Sequence, residues 1–192
     1  MIRAFIFDCF GVLTTDGWLP FKEQQFGHDQ ELEQEATNLN KMTDAGLLSY
    51  SDFVNKISKL SGKDEQHVRS NIESNVANQE LFDFISTLKP KYKIGMLSNA
   101  GSNWLDKLFT PEQLSLFDEQ GLSYQTGHLK PSADAYHHIA SSLNVEPSEC
   151  VFIDDVEAYC EAARDVGMKA VWYQNFAQTK SDIEKILANS KD

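Results

Sequence analysis

Five short apolar runs punctuate this chain: Arg3 to Phe7, Tyr92 to Leu97, Gln120 to Ser123, Cys150 to Ile153 and Lys169 to Trp172. Each has strand length and strand composition. Helical stripes lie between the later ones. Tyr136, Ile139, Ala140 and Leu143 share one face at helical spacing, as do Ala158, Ala162 and Ala163. Gly167 is placed to end the second of these helices in a left-handed conformation. Leu81, Phe82, Ile85 and Leu88 form a further stripe, stopped by Pro90. Strand alternating with helix requires long crossovers, so the pattern predicts an α/β fold: a parallel sheet with helices on both faces.

The alternation fails between the first and second strands. Residues 15–80 carry no convincing strand. Phe53, Val54, Ile57 and Leu60 make an amphipathic helix, with Ser49 and Asp52 fitting a capping box before it and Gly62 just past its end. Val68, Ile72 and Val76 suggest a second helix, and the polar stretch Gln30 to Asn40 is compatible with a third. The division predicted is a core of residues 1–14 and 81–192 and a small all-helical cap of residues 15–80, inserted after the first strand and standing over the strand ends as a lid. No internal repeat or low-complexity tract is evident.

Composition narrows the function classes. A hydrophobic share of 41% in 192 residues is enough for a sizeable core. The formal net charge of -12 argues against nucleic acid and anionic membrane surfaces as partners, because both attract positive charge. An anionic substrate would have to meet a local positive charge or a metal. The N-terminal apolar run is short, is broken by Asp8 and lacks a small-residue cleavage site, so it reads as a core strand and not as a signal peptide. Cys9, Cys150 and Cys160 are odd in number and show no metal-ligand spacing. Reduced, buried thiols and a cytoplasmic location follow as expectations.

Chemistry-bearing residues recur where the predicted strands end. Asp8 follows the first strand, Ser98-Asn99 the second, and Asp154-Asp155 the fourth; Lys130 lies in the loop before the helix that starts near Ala133. Each alone has an ordinary explanation: a turn acid, a turn, a helix cap, a solvated loop. Together, at the same ends of parallel strands, they converge on one crevice. Three carboxylates there cannot all stay ionised without a cation. Lys130 supplies one charge, and oxygen-only ligands select a hard divalent ion such as Mg2+. One carboxylate then remains free as a nucleophile for phosphoryl transfer. Ser98 and backbone N–H groups can hold phosphate oxygens, and Lys130 offsets charge on nucleophile and phosphate together.

These segments resemble the haloacid dehalogenase (HAD) superfamily over nearly the whole chain. Phe7-Asp8-Cys9-Phe10-Gly11-Val12-Leu13 is similar to its first motif, Leu97-Ser98-Asn99-Ala100 to the second, Lys130-Pro131-Ser132-Ala133-Asp134-Ala135-Tyr136 to the third, and Phe152-Ile153-Asp154-Asp155 through Gly167-Met168 to the fourth. The insertion is similar to the helical cap of the family's first subclass, the Gly46 to Phe53 segment in particular. The resemblance implies a Rossmann-like core with a helical cap. It implies a Mg2+-dependent phosphatase acting on a small phosphorylated metabolite, a sugar phosphate by family analogy, through an aspartyl-phosphate on Asp8. It also implies metal ligation by Asp8, the Phe10 carbonyl oxygen and the acid pair. Asp155 aligns best with the usual ligand, and Asp154 binds directly or through water. Ser98, Asn99 and Lys130 are the implied substrate-binding residues.

Two departures bear on activity. Most phosphatases of this family carry a second Asp two residues after the nucleophile, which protonates the leaving group and later activates water. That position here is Phe10. The cap is a possible source of a replacement, with Asp16 and His28 as candidates by position. Tyr159 stands where the family commonly has Asn or Asp. Two other functions compete. A 2-haloacid dehalogenase also has an aromatic at the Phe10 position, but it needs no metal and would call for an arginine clamp, and only Arg3, Arg69 and Arg164 are present. A binding or regulatory protein with a decayed site is the other. A phosphorelay receiver domain is set aside because the lysine here precedes the acid pair. Trp18, Phe21, Phe26 and Trp104 are candidates to line a pocket or to fill a core. Oligomeric state is not legible.

Overall fold

The computed structural model describes residues 1–189. The five predicted strands are present as β1 (Ala4–Phe7), β2 (Lys93–Ser98), β3 (Glu119–Leu122), β4 (Cys150–Asp154) and β5 (Lys169–Trp172). They form one sheet in the order β3-β2-β1-β4-β5, with every neighbouring pair parallel. β1 is central. The chain builds β2 and β3 on one side of it and β4 and β5 on the other, so the winding reverses at β1. Phe7 is in register with Met96 of β2 and with Ile153 of β4. Asp8 N–H then donates to the Ile153 carbonyl at 2.9 Å, which fixes Asp8 beside the end of β4.

Eleven α-helices are described among these residues: α1 (Trp18–Phe26), α2 (Gln30–Asp44), α3 (Tyr50–Ser61), α4 (Glu65–Ile72), α5 (Gln79–Leu88), α6 (Leu105–Leu108), α7 (Pro111–Leu114), α8 (Ser123–Thr126), α9 (Ala133–Ser142), α10 (Glu157–Asp165) and α11 (Phe176–Ala188). The pleat sends alternate residues to opposite faces. Phe5, Phe7, Val151 and Ile153 pack with Leu81, Phe82 and Ile85 of α5 and Ile183 of α11. Ala4, Ile6, Cys150 and Phe152 pack with Tyr136 and Ile139 of α9 and Ala163 of α10. Both faces are covered, which is why the strands read as continuous apolar runs. Gly167 follows α10 with φ +92°, the left-handed stop predicted for it.

A third apolar cluster lies wholly among α1 to α4: Phe21, Phe26, Ala36, Phe53, Val54, Ile57 and Val68. Ser49 starts α3 as predicted, its Oγ accepting from Asp52 N–H at 3.1 Å and donating to the Asp52 carboxylate at 2.6 Å. Gly62 ends the helix at φ +67°. Two local readings change. Val76 is not helical, because α4 stops at Ile72. Residues 13–15 and 76–78 instead run alongside each other: Thr15 N–H donates to the Val76 carbonyl at 3.1 Å, and Asn78 N–H to the Leu13 carbonyl at 2.9 Å. The two chain crossings into the helical insertion are thereby tied together. The second change is α1, which the sequence did not reveal. Its start is organised by Asp16, whose Oδ1 accepts from Trp18 N–H at 2.7 Å and Leu19 N–H at 3.2 Å. Pro20 is tolerated because the first turn has no intrahelical partner for its missing N–H.

A glycine in a central strand normally costs stability. Gly95 has a packing reason. A Cβ there would lie 2.9 Å from Leu143 Cδ1 and 3.4 Å from Ile139 Cγ1, so its absence lets α9 and the turn after it settle on β2. Gly95→Val is expected to destabilise the protein by about 1–3 kcal/mol through overpacking, measured by chemical denaturation.

Candidate active site

The C-terminal ends of β1, β2 and β4 meet at the point where the winding reverses, the place where open α/β sheets form a crevice. Asp8, Asp154 and Asp155 each turn a carboxylate oxygen to one spot, and those oxygens lie within 4.8 Å of one another. Lys130 reaches in from the loop before α9. Its Nζ lies 2.7 Å from Asp8 Oδ1 and 2.6 Å from Asp154 Oδ2. The relative exposures of Asp8, Lys130 and Asp154 are 6%, 3% and 0%, so these charges are desolvated and dependent on one another.

Each group has a distinct environment. The other oxygen of Asp154, Oδ1, accepts from Val156 N–H at 2.8 Å, so both of its oxygens have a protein donor. Burial pushes the Asp8 carboxyl up to about 8 against the pull of Lys130, and Asp154 and Asp155 add to the rise. Burial also raises Asp155, to about 6, with Asp154 contributing. Burial works against the Lys130 ammonium, yet Asp8 and Asp154 outweigh it and hold that amine protonated well above the usual lysine range. Three carboxyl groups thus crowd around the one lysine that is buried among the described residues, and the rise at Asp8 and Asp155 reflects that crowding. Gly11 makes the crowding possible. Its φ is +87°, and a Cβ at this position would run into the Asp155 carboxylate.

The structure brings the sequence-selected residues together. Asp8, Phe10, Ser98, Asn99, Lys130 and Asp155 line one cavity of about 720 Å³ between the strand ends and the helical insertion. Asp154 lies behind it, holding Lys130. Ser98 Oγ is buried and has no hydrogen-bond partner, an unusual state that marks a donor awaiting an acceptor. Asn99 uses its amide differently: Nδ2 donates to the Lys130 carbonyl at 2.9 Å, and Oδ1 accepts from Lys130 N–H at 2.8 Å. It clasps the lysine loop. Tyr159 places its ring 5.0 Å from Lys130 Nζ, and Phe152 adds a second ring at 5.6 Å, so the ammonium is also held by aromatic faces.

The helical insertion supplies the far wall. Trp18, Tyr50 and Phe53 line the cavity from the insertion and Trp104 from just before α6, whereas Phe21 and Phe26 fill the interior of the insertion. Asp16 lines it too; His28 is exposed and lies elsewhere. Lys22, Asn40 and Asp44 also face it, and none of them was singled out from sequence. They sit on α1 and α2, where no spacing distinguishes a cavity-facing polar residue from a solvated one. Asp44 lies beyond the helix span Gln30 to Asn40 that the sequence suggested. Cys9 is buried and its thiol is pushed well above the usual range, first by burial and then by Asp8, which leaves it unreactive.

Acids at a topological switch point, with a lysine and an unpartnered hydroxyl beside a helical insertion, are a candidate hydrolase site on an open α/β sheet. The model of the haloacid dehalogenase-like hydrolases matches residues 2–167. The chain belongs to that family. It is 26% identical over 177 residues to a D-ribitol-5-phosphate phosphatase of Bacteroides thetaiotaomicron, covering 86% of this chain and 81% of that protein. A HAD family enzyme from the same organism, crystallised with magnesium and inorganic phosphate, superimposes with a TM-score of 0.70 at 24% identity, over 89% of this chain and 93% of that one. A predicted HAD-like family hydrolase from Porphyromonas gingivalis superimposes with a TM-score of 0.71 at 25% identity, over 97% and 98% of the two chains. Among the described residues no helix is long and apolar enough to cross a membrane.

Lys130 is the counter-charge on which the buried acids rely. Lys130→Met is expected to cost about 3–5 kcal/mol of stability, because Asp8 and Asp154 are left buried without a cation. Denaturant unfolding in metal-free buffer reads that loss.

Proposed function

We propose that this protein is a Mg2+-dependent phosphatase of a small phosphorylated metabolite, with Asp8 as its nucleophile. The observation that carries the reading is the placing of Asp8 at 2.7 Å from Lys130, within the three-carboxylate cluster and on the cavity that the unpartnered Ser98 Oγ also lines. The donor set suits a hard cation: all-oxygen, anionic in excess, and convergent on one point. Asp8, Asp155 and the Phe10 carbonyl oxygen would hold it. Asp154, with both oxygens already hydrogen-bonded, contributes through water and by fixing Lys130. The metal, when bound, offsets the charge of the phosphoryl group and of the carboxylate that attacks it.

The chain's own residues carry the rest. Asp8 forms a bond from a carboxylate oxygen to phosphorus as the ester bond breaks, giving an acyl phosphate that water then hydrolyses. Lys130 neutralises nucleophile and phosphoryl oxygens together, and Ser98 Oγ donates to a non-bridging oxygen. Asn99 acts one step back, by holding the Lys130 backbone. The core is residues 1–14 and 81–192, and residues 15–80 are the cap that closes the cavity. The relative that bears the name D-ribitol-5-phosphate phosphatase supports a polyol or sugar phosphate as substrate. A dehalogenase reading lacks support at the same site: of the residues lining the cavity the basic ones are Lys22, Lys41, Lys107 and Lys130, and none is an arginine.

A panel of phosphomonoesters tests the proposal by phosphate release. Release is expected to vanish with chelator, to return with Mg2+, and to fall to background in Asp8→Asn. Undiminished release from Asp8→Asn would remove Asp8 from the reaction.

A further inference from the structure

We infer that Asp44, the last residue of α2, is the general acid of this reaction and fills the role that Phe10 leaves vacant. The inference rests on the phosphatase reading above. It begins with position. Asp44 lines the cavity shared by Asp8, Ser98, Lys130 and Asp155, and it does so from the end of α2. It is close enough to Lys130 and Asp16 for each to bear on its protonation. Asn40 Nδ2 donates to Asp44 Oδ2 at 3.0 Å, which fixes the carboxyl group and leaves Oδ1 for a proton.

The residue is also clamped to the core. Ser123 Oγ donates to the Asp44 carbonyl at 2.7 Å, and the same Oγ accepts from Ala100 N–H at 2.9 Å. The preceding residue, Thr43, lies against Gly101, where a Cβ would come within 2.7 Å of the Thr43 carbonyl oxygen. Ala100 and Gly101 continue directly from Ser98-Asn99, so one short segment seats the end of α2 and carries the hydroxyl aimed at the phosphate.

The surroundings favour the acid form. Burial lifts the Asp44 carboxyl to about 7, Asp16 adds to the rise and Lys130 opposes it. The carbonyl end of α2 likewise disfavours negative charge there. Asp16 is the other carboxyl on this wall; burial raises it as well, but its Oδ1 accepts two backbone N–H bonds that oppose the rise. Both carboxyls are lifted by burial, and the two backbone donors that restrain Asp16 have no counterpart on the Asp44 carboxyl, which assigns the proton to Asp44. Tyr50 is no rival, since its hydroxyl donates to Glu73 at 2.9 Å.

The proton balance follows. As an Asp8 oxygen bonds to phosphorus, the bond from phosphorus to the substrate oxygen breaks, and the Asp44 proton passes to that oxygen, releasing an alcohol. The Asp44 carboxylate then takes a proton from the water that attacks phosphorus, the bond to Asp8 breaks, and phosphate departs.

Leaving-group chemistry tests this. In single-turnover release with Mg2+, p-nitrophenyl phosphate needs little protonation of its leaving oxygen, whereas an alkyl phosphate depends on it. Asp44→Asn is expected to lose about 10²-fold or more on the alkyl ester beyond whatever it loses on the aryl ester. Gly101→Ala, which displaces the end of α2 and leaves the carboxyl intact, is expected to show a selective loss in the same direction and decides the matter if Asp44→Asn does not fold. Equal losses on the two esters in whichever variant folds overturn the inference, as does a selective loss in Asp16→Asn with none in Asp44→Asn. Failure of the phosphatase reading itself is told apart by Asp8→Asn, which must abolish release from both esters.

Discussion

A surplus of buried negative charge governs this structure. Asp8, Asp154 and Asp155 converge on one point, and Lys130, at 2.7 Å and 2.6 Å from the first two, is the one buried cation among the described residues. Such an arrangement forms only if the backbone forces it. The register of β1 with β4 places Asp8 beside Ile153, hence beside the acid pair that follows. Gly11, in a conformation that other residues rarely adopt, gives the Asp155 carboxylate its space. Asn99 and the Tyr159 ring hold the lysine in place. Apolar packing on both faces of the sheet supplies the stability that the charge cluster does not.

The same surplus explains the helical insertion. A cavity closed over the strand ends strengthens every interaction between substrate and buried charge. α1 to α4 have their own apolar interior, so they can present a wall to the cavity without borrowing core from the sheet. Their connection to it is short and paired, through residues 13–15 and 76–78, and their seating on the far side is the contact of Thr43 and Asp44 with Gly101 and Ser123.

Much of this was legible in the chain. Parallel strands buried on both faces leave continuous apolar runs, and all five were readable as such. Charged or hydroxyl residues at the ends of those runs have no packing role, which is why Asp8, Ser98 and Asp154-Asp155 stood out. α3 was readable because Ser49, Asp52 and Gly62 mark its ends chemically. The failures were physical too. Val76 has the spacing of α4, but its backbone pairs with Thr15, a contact 61 residues away that no local pattern encodes. α1 has aromatic residues on both its inner and its cavity-facing sides, so its periodicity is blurred. Asn99 resembled a substrate ligand because the sequence could not show that Lys130 takes both ends of its amide. Asp44 was invisible for a related reason: an acid at the end of a polar helix looks solvated until the fold brings Ser98, Lys130 and Asp16 around it.

On the proposed mechanism, Phe10 and Asp44 together explain how the acid can sit on the helical insertion. A carboxyl group two residues after the nucleophile would be present whether or not the cap is in place. One carried by α2 is in position only when the end of that helix is seated on Gly101 and Ser123. Protonation of the leaving group and exclusion of water then depend on the same contact. The core alone, with Lys130 and Ser98 placed to hold a phosphoryl group, would lack the Asp44 proton. A phenyl ring at position 10 also adds no further carboxylate to a cluster that already exceeds its counter-charge, so relocating the acid relieves the electrostatic crowding that defines the site.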